Sequence, residues 1–146
     1  MRITIKNLQK IIPVNPERIR KAVLEAISRE GLRKSAAVTI CIVNDNLIQD
    51  LNKRFLNEDS PTDVLAFELG RSRSEITADI AVSAQTAVRN AQIYKTTPEY
   101  ELYLYVVHGI LHILGYDDKS EEESNFMQKK AERILAALNI SKNAHP

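Results

Sequence analysis

The segment Thr97–Asp118, TPEYELYLYVVHGILHILGYDD, decides the architecture of this 146-residue chain. Thr97 is a good N-cap residue, Pro98 suits the first helical position, and the two glutamates that follow favour the positive end of a helix dipole. Gly115 is typical of the position just beyond a helix end. The segment therefore predicts a helix that begins at Pro98 and ends at Leu114.

Two histidines of this helix, His108 and His112, are candidate metal ligands because they stand four residues apart and share one helix face. Asp118 lies three residues beyond Gly115, where the chain can turn back and supply a third ligand. The full pattern is H-x-x-x-H-x-x-G-x-x-D. Three protein ligands with an open fourth position are typical of a catalytic zinc site rather than a structural one.

The alternative is that both histidines are core residues that hydrogen-bond to the backbone. Gly109 favours the metal site, because a glycine inside a helix costs about 0.8–1.0 kcal/mol relative to alanine and indicates that another group approaches closely. Zinc peptidases of the H-E-x-x-H type carry a glutamate as general base at the position of Gly109, so the sequence argues against that class.

The whole sequence predicts one α/β (α+β) domain over residues 1–146, with a mixed sheet of about four strands covered by about five helices. The tail 141–146 is predicted to be mobile. The predicted strands are Arg2–Lys6, Ala36–Val43, Thr62–Leu69 and Glu75–Val82. The predicted helices run from Pro16 towards Gly31, from Asp45 to about Asn57, from Ser83 to about Tyr94, from Pro98 to Leu114 and from Ser120 to about Leu138.

Apolar side chains at helical spacing predict the buried faces of the first two helices. The predicted core residues are Ile19, Val23, Leu24 and Ile27 in the first helix, and Leu47, Ile48, Leu51 and Phe55 in the second.

Composition indicates a globular chain without a membrane span. Apolar residues make up 44% of the chain and charged residues 27%, which is close to the average for folded domains. The apolar run Leu102–Leu114 is shorter than the roughly 20 residues needed to cross a bilayer. The N-terminus lacks the apolar core of a secretory signal, and the single cysteine, Cys41, cannot form an internal disulfide, so we expect a cytoplasmic protein.

Charge alone does not make this chain a binder of polyanions, because the net charge is only +1. The distribution is uneven, however, since residues 1–36 carry nine Lys and Arg against three Asp and Glu. This basic first part of the chain either attracts a polyanion or forms an ordinary solvated helix face.

Three segments together resemble the YbeY family of bacterial metal-dependent endoribonucleases. His108–Asp118 reads HGILHILGYDD, beside the family hallmark H-G-x-L-H-L-x-G-Y-D-H. Pro61–Phe67 reads PTDVLAF, similar to the family segment P-T-D-V-L-S-F, and Ala78–Ile80 reads ADI where the family has G-D-I. The resemblance extends over most of the chain.

The resemblance implies a compact α/β fold with a zincin-like metal helix and one Zn²⁺ per chain. It implies a metal-dependent endoribonuclease specific for single-stranded RNA, with a role in 16S rRNA maturation and ribosome quality control. The expected partners are small-subunit rRNA and the small ribosomal subunit or its proteins, with no membrane. The alternatives are a hydrolase of another substrate class and a non-catalytic ribosome-assembly factor that uses its metal only for stability.

Two positions depart from the family pattern. The third ligand of the family is a histidine, and Asp118 stands there in this chain. A carboxylate binds zinc but also favours harder ions such as Mn²⁺, and Asp118 could instead orient a histidine from outside the ligand shell. The family usually carries an RNA-contacting arginine at the position of Leu56, and both departures bear on catalytic competence.

Further candidates surround these motifs. Possible supports of a ligand histidine or of water are Asp63, Asp79 and Asp117, for which side-chain-to-backbone bonding is the commoner alternative. Possible RNA contacts are Arg54, Arg71, Arg73 and Tyr116. For Arg71 and Arg73 the alternative is an exposed loop, whereas Tyr116 suits a site role because it flanks Asp118.

Overall fold

Four strands and five helices form in the computed structural model of the chain, which describes residues 1–32 and 34–142. The predicted number and order of elements are confirmed. The strands are β1 (Arg2–Asn7), β2 (Ser35–Val43), β3 (Val64–Arg71) and β4 (Glu75–Ser83). The helices are α1 (Pro16–Arg29), α2 (Asp45–Leu56), α3 (Ala84–Tyr94), α4 (Pro98–Ile113) and α5 (Glu121–Ala137).

The predicted mobile tail lies mostly outside the described residues, which end at Lys142. Lys142 itself forms an ion pair with Glu132 of α5, so the part of the tail that the structure describes is attached to the domain.

The sheet is mixed, as predicted, with the strand order β1-β2-β4-β3. The pairs β1–β2 and β2–β4 are parallel, whereas β3 and β4 form an antiparallel hairpin. The first strand of the hairpin is predicted over Thr62–Leu69, whereas β3 spans Val64–Arg71. Its pairing with β4 has a register shift between Glu68 and Gly70.

The two faces of the sheet carry different helices because successive strand side chains point to opposite sides. Ile40 and Ile80, both fully buried, belong to the main core that also contains residues of α1, α3, α4 and α5. Leu65 and Ala81 point to the other face, where they pack with Ile48 of α2 in a smaller cluster.

The helix α4 is the centre of the main core. Its side chains are buried on nearly every side, and its termini follow the sequence signals. The Thr97 hydroxyl accepts from the Tyr100 amide at 3.1 Å, and Gly115 adopts a positive φ of 108° that ends the helix. In the part of the chain that the structure describes, no helix combines the length and apolarity needed to cross a bilayer.

Three of the predicted core residues on α1 and α2 are instead at the surface. Leu24 is 44% exposed, Leu47 39% and Phe55 63%. Each helix packs on one side only, so the buried stripe is narrower than the apolar stripe in the sequence. Phe55 retains a contact with the ring of Phe67, with the ring centroids 5.3 Å apart.

One partly buried carboxylate, Asp45, connects α2 to the start of α3. Asp45 accepts hydrogen bonds from the Ser83 hydroxyl at 2.6 Å and the Thr86 hydroxyl at 2.9 Å, and it forms an ion pair with Arg89 at 2.6 Å. Burial raises the pKa of Asp45, but these partners outweigh burial and leave the pKa below its ordinary value of 3.8. The folded state therefore binds this proton less tightly than the unfolded chain does.

We expect Asp45→Asn to lower the free energy of unfolding by about 1–3 kcal/mol at neutral pH, because three partners lose a charged acceptor. The contribution of Asp45 is fully present above the pKa of the unfolded chain and is lost as the pH falls through the lower pKa of the folded state. The difference between the two proteins in urea melts from pH 7 to pH 3 should therefore persist down to about pH 4 and begin to shrink only below it. Asp50→Asn, which removes only an exposed pair with Arg54, is the control. A pH-independent difference would contradict this account.

Candidate metal centre

A glycine lets the histidine turn of α4 lie directly on the sheet. A Cβ atom at Gly109 would stand 2.8 Å from Cγ2 of Ile80 and 3.3 Å from Cγ2 of Val64. The sequence indicated a close approach at Gly109, and the groups that approach are side chains of β4 and β3. His108 is thereby held at the junction of α4 with the hairpin.

The His108 imidazole carries an unused donor atom. Its Nε2 is buried and has no hydrogen-bond partner among residues 1–32 and 34–142. Burial lowers the pKa of His108, with Asp63 and Gln128 opposing that effect. A neutral imidazole is the form that binds metal ions, and a buried polar atom without a partner is costly in a folded protein. An ion at Nε2 would satisfy this atom.

His112 and Asp118 come together as the sequence predicts. Gly115 reverses the chain after α4, and His112 Nε2 lies 3.6 Å from Asp118 Oδ2. The His112 side chain is 31% exposed and that of Asp118 58%. The pair therefore stands at the surface end of the site, one helical turn from His108, whose Nε2 is buried.

Two imidazole nitrogens and one carboxylate form a donor set that suits zinc or a harder divalent ion. Across the described ranges, no three His, Cys, Asp or Glu side chains are close enough together to enclose an ion. The two histidines are fixed by α4, whereas Asp118 lies in an exposed loop. The donor chemistry of the three residues fits a divalent ion, and the three side chains would have to approach one another to enclose it.

Of the three carboxylates predicted to support the histidines, Asp63 is the one that lies beside them. Its charge opposes the lowering of the His108 pKa. Its Oδ1 also accepts from the Val64 amide at 2.8 Å and the Thr62 hydroxyl at 3.2 Å. Asp63 thus has the structural role of a turn cap and also faces the site.

The structure does not bring Asp79 to the histidines. Asp79 neighbours Ile80 on β4, so its side chain points to the opposite face of the sheet. There the charge of Asp79 adds to burial in raising the pKa of the Cys41 thiol.

Asp117, the third of the predicted supporting carboxylates, faces its own loop. It accepts a hydrogen bond from the Asp118 amide at 2.8 Å and therefore shapes the loop that carries Asp118.

One of the predicted RNA-contacting arginines reaches α4. Arg71 at the end of β3 donates from Nη2 to the Ile113 carbonyl at 3.2 Å and pairs with Glu68. Arg54 pairs with Asp50 on α2, and α2 packs on the opposite face of the sheet. Arg73 is exposed in the hairpin turn.

Tyr116 has a packing role. Its hydroxyl donates to Glu30, its ring stacks on Phe126 with centroids 6.0 Å apart, and Lys130 lies 5.3 Å from the ring centroid. These contacts attach the loop after α4 to α1 and α5. The Tyr116 side chain is therefore held by packing contacts, and its role as an RNA contact stays a prediction.

Sequence reasoning missed several polar residues next to His108. They come from α3, α4 and α5, and they are Asn90, Glu101, Tyr105 and Gln128. Glu101 and Tyr105 stand seven and three residues before His108, so the helical period places them on its face. The helical period could therefore have identified Glu101 and Tyr105, whereas no sequence pattern points to Asn90 or Gln128.

A sequence profile of the family described as "Endoribonuclease YbeY" matches residues 4–139. Relatives named "Endoribonuclease YbeY" include one from Pelotomaculum thermopropionicum, 34% identical over 97% of this chain and 100% of its own length. Another, from Carboxydothermus hydrogenoformans, is 36% identical over 94% of this chain and 98% of its own length. A third, from Bacillus subtilis, is 33% identical over 81% and 82%.

The fold also matches a solved structure. The solution structure of a Thermotoga maritima protein superposes with a TM-score of 0.61 at 28% identity, over 99% of this chain and 97% of the other. The fold defines an α/β protein with a four-stranded mixed sheet and five helices in the part of the chain that the structure describes. The chain belongs to the endoribonuclease YbeY family.

Proposed function

We propose that this chain is a metal-dependent endoribonuclease that cleaves single-stranded RNA, and that its substrate is small-subunit ribosomal RNA in the cytoplasm. Membership of the family supports the reaction class. The observation that carries the metal dependence is the buried, unpartnered Nε2 of His108, one helical turn from the His112–Asp118 pair. The proposed occupant is one Zn²⁺, with Mn²⁺ as the alternative that a carboxylate ligand favours.

His108, His112 and Asp118 would hold the ion. When bound, a divalent ion polarises a phosphoryl oxygen and makes a water molecule more acidic. The residues themselves supply orientation: α4 fixes both imidazoles, Asp63 faces His108 from the start of β3, and Asp118 adds a negative charge at the exposed end. That charge makes the ion a weaker Lewis acid than one held by three neutral histidines.

Arg71 is the cation that best suits a phosphate beside the site, because it is anchored to the Ile113 carbonyl next to His112. The basic first part of the chain, residues 1–36, would add contacts along the RNA backbone. Contacts of this kind release counterions, so binding should weaken steeply with added salt.

The test incubates the purified, untagged chain with single-stranded RNA, after treatment with a chelator and after return of Zn²⁺ or Mn²⁺. We expect cleavage only with a divalent ion and little cleavage of the same sequence in a duplex. Elemental analysis of the untreated protein should find about one ion per chain. Undiminished cleavage in the chelated protein would contradict the metal dependence, and a bound ion without any cleavage would favour the assembly-factor alternative.

A further inference from the structure

A polar cavity of about 550 Å³ opens beside His108 and extends over residues that the proposed metal site does not use. Its walls come from the start of β3 and from α3, α4 and α5. The size is within the range of small-ligand sites. The lining includes Asp63, Asn90, Glu101, Tyr105, His108 and Gln128.

Glu101 is the most unusual residue in this cavity, because it is a carboxylate with only 3% of its surface exposed. Its Oε2 accepts from the Thr96 hydroxyl at 2.7 Å, and burial raises its pKa. Within residues 1–32 and 34–142, no basic side chain forms an ion pair with it. A carboxylate offers about four acceptor sites, and the Thr96 and Tyr105 hydroxyls use part of them, so Glu101 keeps acceptor capacity for a ligand.

The neighbouring Tyr105 hydroxyl is fixed by Asn90, whose Nδ2 donates to it at 2.8 Å. Tyr105 is 2% exposed and stands one turn beyond Glu101 on the same helix face. The cavity floor therefore includes a hydrogen bond between α3 and α4. Polar groups fixed in this way can discriminate between ligands, because an unmatched polar group would remain without a partner.

The charges in the cavity exclude a phosphate and favour a ligand with N–H donors. Asp63, Glu101 and Glu132 are acidic, and the basic Lys142 is already paired with Glu132. At the rim, the ring of Tyr94 is 65% exposed, and exposed aromatic rings stack on nucleic-acid bases. Nucleic-acid bases combine a flat face with N–H groups on one edge.

We propose that this cavity receives one base of the RNA strand, next to the phosphodiester at His108, and that Glu101 accepts a hydrogen bond from the exocyclic amino group of that base. This proposal rests on the proposed function. Adenine, cytosine and guanine carry such an amino group. Uracil carries carbonyl oxygens in its place and would set an oxygen against the Glu101 carboxylate, so the cavity selects against uracil.

The first test uses short oligouridine strands that contain a single adenosine, cytidine, guanosine or uridine at the centre. The wild-type protein should cleave next to the inserted amino-bearing base about tenfold faster than next to uridine, which corresponds to about 1.4 kcal/mol. In Glu101→Gln, whose amide can donate to a carbonyl oxygen, this preference should fall to about twofold or less. Evenly distributed cleavage by the wild type, or an unchanged preference in Glu101→Gln, would overturn the proposal.

Glu99→Gln is the matched control, because it removes a carboxylate from the same helix without lining the cavity. It should keep the wild-type preference. Changes in the ratio of rates between strands, rather than in overall rate, separate base selection from a general loss of structure.

A second measurement distinguishes failure of the cavity from failure of the proposed function. Adenosine monophosphate and uridine monophosphate are titrated into the untreated protein, and the amide signals of Glu101 and Tyr105 are followed by nuclear magnetic resonance. Adenosine monophosphate should shift these signals at a lower concentration than uridine monophosphate does. If no strand is cleaved but this difference holds, the nuclease function fails and the base site remains. Equal or absent shifts overturn the base site.

Discussion

The variant His112→Ala should lose RNA cleavage by more than about a hundredfold, since even residues that only support metal ligands cost about 10–100-fold when they are replaced. His112 provides one of two imidazoles on α4 and lies 3.6 Å from Asp118. Its loss would leave a buried histidine and one exposed carboxylate, which together cannot enclose an ion. Elemental analysis should find the metal content reduced in parallel with the rate.

The loss of RNA cleavage in His112→Ala should not come from unfolding of the protein. The His112 side chain is 31% exposed, and the alanine keeps the helix propensity high. Thermal melts monitored by circular dichroism should therefore place His112→Ala close to the chelated wild-type protein. Full cleavage by His112→Ala with an empty site would refute the metal proposal, as would normal metal content in a protein that lacks this imidazole.

Asp118 can be tested with the same readouts. Asp118→Asn preserves the shape of the side chain but removes the charge, so a direct ligand should lose metal affinity by more than about tenfold, whereas a carboxylate outside the ligand shell should cost less. Asp118→His restores the ligand usual in the family and should shift the metal preference from Mn²⁺ towards Zn²⁺. Competition between the two ions, measured by elemental analysis, decides between the two roles.

Local signals predicted the secondary structure well because helix ends are determined by neighbouring residues. Thr97, Pro98 and Gly115 fixed α4 to within one residue, and the box formed by Ser120 and Glu123 fixed the start of α5. The strand order could not be obtained in this way, since pairing between β2 and β4 joins residues about 40 positions apart. No local pattern records such a pairing.

The sequence brought the candidate ligands together but did not identify their surroundings. His108, His112 and Asp118 occupy one short segment, so their spacing alone brings them close. Asp63 and Asp79 looked equivalent in the sequence. In the structure Asp63 faces the histidines, whereas the alternation of side chains along β4 turns Asp79 to the opposite face of the sheet. Glu101 belongs to a cavity enclosed by three helices, and its importance depends on contacts with residues far along the chain.

The periodicity of the helices also had a limit. Spacing identifies which side chains share a face, but it does not give the width of the buried stripe. Leu24 and Phe55 lie at the margins of their stripes, and the neighbouring elements do not extend far enough to cover them. Apolar residues at such margins are common on protein surfaces and indicate no particular function.

The variant Gly109→Ala should lower the free energy of unfolding by about 1–3 kcal/mol through overpacking. The new Cβ would meet Cγ2 of Ile80 at 2.8 Å, and Ile80 is fully buried, so neither group can move aside cheaply. This cost outweighs the gain in helix propensity of about 0.8–1.0 kcal/mol. The melting temperature should fall by roughly 3–10 °C. Gly70→Ala, where a Cβ meets nothing within 4 Å, is the control and should change stability by less than about 0.5 kcal/mol.

A double-mutant cycle identifies the clash as the cause. Ile80→Ala alone should cost about 2–5 kcal/mol because it leaves a cavity against α4. In that background, the methyl group of Gly109→Ala enters the vacated space, so the second substitution should cost little or should stabilise the protein. The coupling between the two sites should reach about 0.5–3 kcal/mol in urea melts. Additive effects would show that the glycine is required for backbone reasons, and that the approach of Ile80 does not fix the position of the histidine turn.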